Sequence, residues 1–147
     1  WERLAGNDLL PLEGNLLLVE TSCFNPPIDM EGMLKYILSC GYFPVLAHPE
    51  RYSYMTMNDL YRLKTAGVQF QLNLPSIAGV YGKTIRIMAG KLLQKNLYDF
   101  IGTDTHSLNH FRHVNNTKIS IKRIQRLRVL AVLQQYNQFG IQRLADV

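Results

Sequence analysis

The sequence contains only two cysteines, Cys23 and Cys40, and it has no long apolar run. Two cysteines cannot form a disulfide framework, although a single bridge between them stays open. The longest uncharged apolar runs are 16–19 and 129–133, far short of the roughly 20 residues that cross a bilayer. The start also lacks a basic segment followed by an apolar stretch and a cleavage site. We therefore expect a cytoplasmic protein without membrane insertion.

The length and composition are those of one globular domain. The chain has 147 residues, of which 47% are hydrophobic and 18% are charged, a balance that excludes a disordered chain. The first residue is Trp1 rather than Met, so we expect a processed product or a fragment of a longer protein. We treat residues 1–147 as a single, partial domain.

Acidic residues are scarce at the C-terminal end. Residues 105–147 carry seven Lys and Arg but only Asp146 as an acid. In a helix predicted over 119–138, Lys122, Arg123 and Arg126 share one side. This side is either a solvated basic face or a surface for an anionic partner. Nothing in the sequence supports nucleic acid as that partner, because it has no zinc-ligand spacing and no helix-turn-helix pattern.

Strand and helix patterns alternate along the chain. The apolar runs 15–20, 43–47, 68–72 and 98–102 predict four buried strands. The segments after them predict helices over 29–40, 58–66, 82–96 and 119–138, with Asp29 and Asn58 as N-caps and glycines near the ends. This order predicts an α/β fold with a parallel sheet, either open or part of a β/α barrel.

Three of the four predicted strands end in metal-binding residue types, which are Glu20, His48, Asp104 and His106. The carboxyl ends of parallel strands share one edge, so we expect these side chains to converge. Carboxylates with imidazoles suit Mn²⁺, Fe²⁺ or Zn²⁺. The alternative is structural, because each residue taken singly could be a helix cap or a hydrogen-bonded core residue.

Two arginines follow these positions. Arg51 lies three residues after His48, and Arg112 lies six residues after His106. A guanidinium group matches a phosphate oxygen pair with two hydrogen bonds, so both are candidates to bind an anionic substrate. Pairing of each arginine with a local acid, such as Glu50 beside Arg51, is the structural alternative.

Three segments resemble one enzyme family. They are 44–52 (Pro-Val-Leu-Ala-His-Pro-Glu-Arg-Tyr), 67–73 (Gly-Val-Gln-Phe-Gln-Leu-Asn) and 100–106 (Phe-Ile-Gly-Thr-Asp-Thr-His). They are similar to the PHP-type (polymerase and histidinol phosphatase) metal-dependent protein-tyrosine phosphatases of bacterial capsular and extracellular polysaccharide clusters. The resemblance implies a distorted β/α barrel of about seven strands, of which this chain is the C-terminal portion.

The resemblance also implies roles for the candidate residues. It makes Glu20, His48, Asp104 and His106 metal ligands, and it makes Arg51 and Arg112 the phosphate-binding arginines. It implies two or three ions, most simply Mn²⁺ with Fe or Zn as alternatives, and no other cofactor. The implied substrate is the phosphotyrosine tail of a bacterial tyrosine kinase, whose dephosphorylation controls polysaccharide assembly.

The chain departs from the family pattern, because no histidine precedes His48 and the family's first His-x-His is therefore missing. We expect this chain alone to have little phosphatase activity, and we expect self-association or the missing part of the barrel to cover its exposed strand edge. Two alternatives stay open. They are a small-molecule phosphoesterase of the histidinol-phosphatase type and a non-catalytic regulatory interaction module.

Overall fold

The computed structural model describes residues 9, 11–12, 14–104, 106, 108, 112, 119 and 123–131. The chain divides into two compact units, Trp1–Phe70 and Gln71–Val147. Among the residues described, no helix has both the length and the apolar character that crossing a membrane requires.

The first unit is built on two parallel strands. Its elements are β1 (Leu16–Val19), α1 (Met30–Ser39), β2 (Phe43–Ala47), a 3-10 turn (Pro49–Arg51) and α2 (Met57–Thr65). β1 pairs in parallel with β2, and Val19 stands opposite Leu46. Parallel neighbours need a crossover between them, and α1 lies in the crossover. Val45 and Leu46 are fully buried, as the continuous apolar pattern of this strand predicts.

The predicted start of α1 is confirmed. The side chain of Asp29 accepts a hydrogen bond from the backbone N–H of Gly32 at 2.9 Å, which satisfies one of the free donors of the first turn. A Cβ at position 32 would lie 2.1 Å from Asp29 Oδ2, so the cap requires glycine there. Gly41, just after the helix, has φ +83°, which is the left-handed conformation that commonly ends a helix.

The predicted cap of α2 is wrong. The helix begins at Met57, and its N-cap is Thr56, two residues before the predicted Asn58. Thr56 Oγ1 accepts from the backbone N–H of Asp59 at 3.3 Å, and Asp59 Oδ2 accepts from the backbone N–H of Thr56 at 2.8 Å. This reciprocal capping box satisfies two donors, whereas a cap at Asn58 would satisfy one.

The second unit repeats the strand–helix–strand arrangement. Its elements are β3 (Gln69–Asn73, which begins in the last residues of the first unit), α3 (Leu74–Ala78), α4 (Lys83–Gln94), β4 (Phe100–Gly102) and a helical segment over 123–131. β3 pairs in parallel with β4, and Asn73 stands opposite Gly102. An α/β fold with parallel strands is therefore confirmed. The described residues do not include a closed barrel, and barrel closure stays a prediction.

The basic side of the last helix is not a purely solvated face. Arg123 and Arg126 are half-buried, and Leu127 and Leu130 are buried beside them. Arg126 Nη1 donates to the carbonyls of Leu93 and Gln94 at 3.3 and 3.0 Å. These carbonyls lie at the C-terminus of α4, where a cation is favoured by the helix dipole. Lys122 and Ile121, also placed in this helix by the sequence pattern, lie outside the described residues.

The capping box gives a direct test of where α2 begins. We expect Thr56→Ala to lower the free energy of unfolding by about 1 kcal/mol, the usual cost of losing an N-cap. Asn58→Ala is the matched control and should change it by less than about 0.5 kcal/mol, as exposed substitutions usually do. Urea denaturation of the two variants measures both values. A larger loss for Asn58→Ala would restore the cap that the sequence pattern predicted.

Candidate metal centre

The ends of β1 and β2 bring a carboxylate and an imidazole together. Glu20 follows the last residue of β1, and His48 follows the last residue of β2. The register of the two strands places the end of one beside the end of the other. As a result, Glu20 Oε1 and His48 Nε2 lie 3.0 Å apart. The sequence-based expectation that these two side chains meet is confirmed.

His48 holds its position at a conformational cost. Its backbone has φ +36° and ψ +54°, in the left-handed region, where residues other than glycine cost roughly 1–2 kcal/mol. Its side chain is only 2% exposed, whereas that of Glu20 is 56% exposed. The pair therefore combines a buried imidazole with a carboxylate that is open to solvent. Strained backbone of this kind concentrates at functional sites.

Tyr52 connects the two members of this pair. Its ring lies against the ring of His48, with centroids 5.6 Å apart. Its hydroxyl accepts a hydrogen bond from the backbone N–H of Thr21 at 3.3 Å, and Thr21 directly follows Glu20. The side chain of Thr21 in turn contacts the hydroxyl of Tyr54 at 2.9 Å. Tyr52 thus fixes the end of β1 and the end of β2 relative to each other.

The second unit holds another carboxylate–imidazole pair after β4. Asp104 has φ +49°, again left-handed, and its Oδ1 lies 3.5 Å from His106 Nδ1. The same Nδ1 is 2.9 Å from the backbone carbonyl of Asp104. When Nδ1–H donates to that carbonyl, Nε2 becomes the ring nitrogen that can bind a ligand. Asn73, at the end of β3, donates to Asp104 Oδ2 at 3.5 Å.

Both pairs have the donor chemistry of metal ligands, and the first pair also has their spacing. Two ligand atoms about 2.1 Å from one ion are about 3.0 Å apart at a right angle and about 3.4 Å apart at a tetrahedral angle. Glu20 Oε1 and His48 Nε2 are 3.0 Å apart. In the second pair, the 3.5 Å distance from Asp104 Oδ1 is measured to His106 Nδ1, the nitrogen that also contacts the Asp104 carbonyl. Within the described part of the chain, no group of three or more His, Cys, Asp or Glu side chains could hold an ion. Each pair therefore offers two candidate ligands.

The arginines occupy different surroundings. Arg51 ends the 3-10 turn that follows His48 and is half-buried. Arg112 is exposed. Their role in binding phosphate stays a prediction, and so does the convergence of Glu20 and His48 with Asp104 and His106.

Sequence reasoning missed Tyr52 and Asn73. Both carried a usable signal, because Asn73 directly follows a predicted strand and Tyr52 lies within the segment after His48. Tyr52 was not assigned a role because an aromatic residue there is indistinguishable from a core residue until its hydroxyl partner is known. Asn73 was missed because the third strand was predicted to end in an apolar residue, one position too early.

The strands are parallel, and pairs of carboxylate and imidazole side chains follow them. The protein is therefore of the α/β class, with candidate metal ligands at its strand ends. Residues 2–127 match the family described as "Capsular polysaccharide synthesis, CpsB/CapC". The chain belongs to this family.

Curated relatives support the same assignment. Tyrosine-protein phosphatase YwqE of Bacillus subtilis is 32% identical over 108 residues, which cover 71% of this chain and 42% of YwqE. CapC of Staphylococcus aureus, whose name gives it as a proposed tyrosine-protein phosphatase, is 31% identical over 100 residues, covering 67% of this chain and 39% of CapC. The chain therefore spans about two fifths of the length of these relatives.

A solved structure is similar to this fold. It comes from a study of YwqE from Bacillus subtilis and CpsB from Streptococcus pneumoniae, described as unique metal-dependent tyrosine phosphatases. The TM-score is 0.68 at 26% sequence identity, and the match covers 91% of this chain and 59% of that one. The strands and helices described above are thus an arrangement that a metal-dependent enzyme also uses.

The environment of Tyr52 predicts a specific titration. Burial raises the pKa of Tyr52 to about 12, against the smaller opposing effect of its hydrogen bonds with Thr21. The pKa of Tyr52 in the folded protein thus lies above the usual value near 10. Its protonated hydroxyl therefore contributes fully to the free energy of unfolding below pH 10, and this contribution is lost as the pH rises through about 12. Absorbance at 295 nm should show that Tyr52→Phe removes a component that titrates near pH 12. Loss of a component near pH 10 would contradict the buried placement.

Proposed function

We propose that the complete protein to which this chain belongs is a metal-dependent phosphatase acting on phosphotyrosine in proteins. The observation that carries the proposal is the contact between Glu20 and His48 at the ends of two parallel strands, in a chain whose relatives are named as tyrosine phosphatases. Those names favour phosphotyrosine over the small-molecule phosphoester and over a purely regulatory module.

Four residues would hold the metal, namely Glu20, His48, Asp104 and His106. We propose two or three ions in the complete site, with Mn²⁺ first and Fe or Zn as alternatives, since carboxylate and imidazole ligands suit all three. Bound ions of this kind polarise a phosphoryl oxygen and lower the pKa of a bound water. Because each pair supplies only two ligands, the rest of the shell must come from outside the pair.

The remaining residues would position and bind the substrate. Arg51 and Arg112 would donate paired hydrogen bonds to phosphoryl oxygens and so stabilise their charge in the transition state. Tyr52 acts on the site through its contacts with His48 and Thr21. We assign it as a positioning residue, because it contacts the residues at both strand ends.

The partner that fits this activity is a bacterial tyrosine kinase with a phosphorylated tail. Its dephosphorylation in the cytoplasm would regulate the synthesis of capsular or extracellular polysaccharide, in line with the family description. Self-association of the protein belongs to the same proposal, because it would cover an exposed strand edge.

The test is substitution of one member of each pair in the complete gene product. His48→Ala and Asp104→Ala should each abolish hydrolysis of a phosphotyrosine peptide and lower Mn²⁺ affinity by about 10- to 100-fold or more, because ligand number sets affinity. Glu31→Gln is the matched control, since Glu31 is an exposed acid paired with Lys35. Calorimetric Mn²⁺ titration provides a readout that is independent of activity. Wild-type affinity and turnover in either alanine variant would refute the assigned ligands.

A further inference from the structure

The two units carry opposite charge. Residues 71–147 hold 11 Lys and Arg against three Asp, a net of +8, while residues 1–70 hold five against eight, a net of −3. The helix α4 contributes to this excess, because it contains three basic residues and no acid, and Lys95 follows as its C-cap. A positively charged surface on this unit favours an anionic ligand.

Part of this charge lines a groove between α4 and the helical segment 123–131. The basic groove is defined here by Gly90, Lys91, Arg123 and Arg126, and its volume is about 310 Å³. Among the described residues, no acidic side chain lines it. The groove therefore presents three cations that have no carboxylate beside them in its wall.

Contacts with the backbone orient the two guanidinium groups. Arg126 Nη1 donates to the carbonyls at the end of α4, and Arg123 Nη1 donates to the carbonyl of Ile77 at 3.4 Å. A Cβ on Gly90 would lie 3.2 Å from Arg123 Nη2, so the missing side chain at this position leaves the space that the guanidinium occupies. Each guanidinium has five N–H donors in a rigid fork, and among the described residues the backbone contacts involve one nitrogen of each.

An apolar pocket adjoins the basic groove. It has a volume of about 550 Å³ and is lined by Asn96, Tyr98, Val129 and Leu130, together with Leu93 and Arg126. Leu93 and Arg126 also line the basic groove. Arg126 therefore stands where a cationic wall meets an apolar, aromatic one, and this combination matches a ligand with an anionic head attached to a ring.

The pocket is separate from the candidate ligands of its own unit. Asn96 and Tyr98 precede β4, whereas Asp104 follows it. The pocket thus lies at the end of β4 where the strand begins, and the candidate metal ligand lies where the strand ends. A ligand in the pocket would not contact Asp104.

We propose that the basic groove and the apolar pocket together form a docking site for a phosphotyrosine side chain of a peptide. The phosphate binds Lys91, Arg123 and Arg126, and the ring packs against Tyr98 and Leu130. The choice of phosphotyrosine as the ligand rests on the proposed function. The pocket favours a peptide over a membrane surface, because a recess that accepts one ring beside a fixed guanidinium suits a single aryl phosphate.

Two pairs of charge-matched variants test the docking site in the complete protein. Lys91→Gln alters the groove, and Lys83→Gln removes an exposed lysine from the same helix outside it. Arg126→Met alters the groove while keeping an apolar stem, and Arg128→Met removes an exposed arginine from the same helical segment. Each pair changes the net charge equally, so general electrostatic attraction affects both members alike.

The probe is a fluorescent peptide that carries one non-hydrolysable phosphotyrosine analogue, titrated by anisotropy and calorimetry. The wild-type protein should bind two peptides per chain, and Lys91→Gln and Arg126→Met should weaken one of these sites by about tenfold, because charge-assisted hydrogen bonds are lost. The two control variants should stay within about twofold of wild type. Arg126 binds the carbonyls at the end of α4, so Arg126→Met could destabilise the fold. Lys91 is exposed and is not the C-cap of α4, so Lys91→Gln still tests the groove if Arg126→Met fails to fold.

Several outcomes would overturn the docking site. Equal affinities within each pair would show that groove residues do not bind the peptide. Binding of phosphatidylglycerol vesicles without binding of the peptide at this site would make the surface a lipid contact. Failure of the proposed function looks different: a hydrolysable phosphotyrosine peptide would not be cleaved by the wild-type protein, and the analogue peptide would bind at the groove alone, with an affinity that His48→Ala leaves unchanged.

Discussion

The contact between Glu20 and His48 depends on the parallel pairing of β1 and β2. Parallel pairing places both carboxyl ends at one edge, and the register sets Val19 opposite Leu46. The chain turns sharply after β2, where His48 takes a left-handed conformation. A glycine would adopt that conformation without strain. A histidine at this position therefore adds an imidazole at the cost of backbone strain. Tyr52 then packs against the imidazole and binds the backbone after Glu20.

The second unit uses the same physical device. Asp104, like His48, has a positive φ shortly after a parallel strand. In both cases the strand delivers the chain to the edge of the sheet, and the left-handed residue changes its direction just beyond that edge. Both residues belong to pairs of carboxylate and imidazole groups. Asn96, just after α4, also has a positive φ, but His48 and Asp104 are the two such residues, among those described, that combine this conformation with a metal-binding side chain.

Apolar patterns and local turn chemistry predicted much of the fold. β2 has the predicted bounds, 43–47, and α1 begins at the predicted cap because an Asp followed by an apolar helical pattern is a local signal. Predictions failed where a nonlocal or reciprocal contact decides the outcome. Thr56 replaces Asn58 as cap because Asp59 completes a capping box with it. α3 was not predicted, because its five residues are too short to show a period.

The site was predictable to a similar extent. Strand-end positions identified Glu20 and His48 as neighbours without any knowledge of the coordinates. The same reasoning could not identify Tyr52, whose role depends on a backbone donor 31 residues away. It also could not distinguish a solvated basic face from Arg123 and Arg126 packed against the carbonyls of other helices, because helical periodicity does not show what lies opposite a face.

The central claim is that the strand-end pairs are metal ligands. Anomalous diffraction at the manganese edge, from crystals of the complete protein soaked in Mn²⁺, tests it most directly. The account predicts anomalous peaks within about 2.3 Å of Glu20 Oε1 and His48 Nε2, and of Asp104 and His106, as expected for bonds from oxygen and nitrogen ligands. Peaks confined to other residues, with the hydrogen bond between Glu20 and His48 intact, would contradict it.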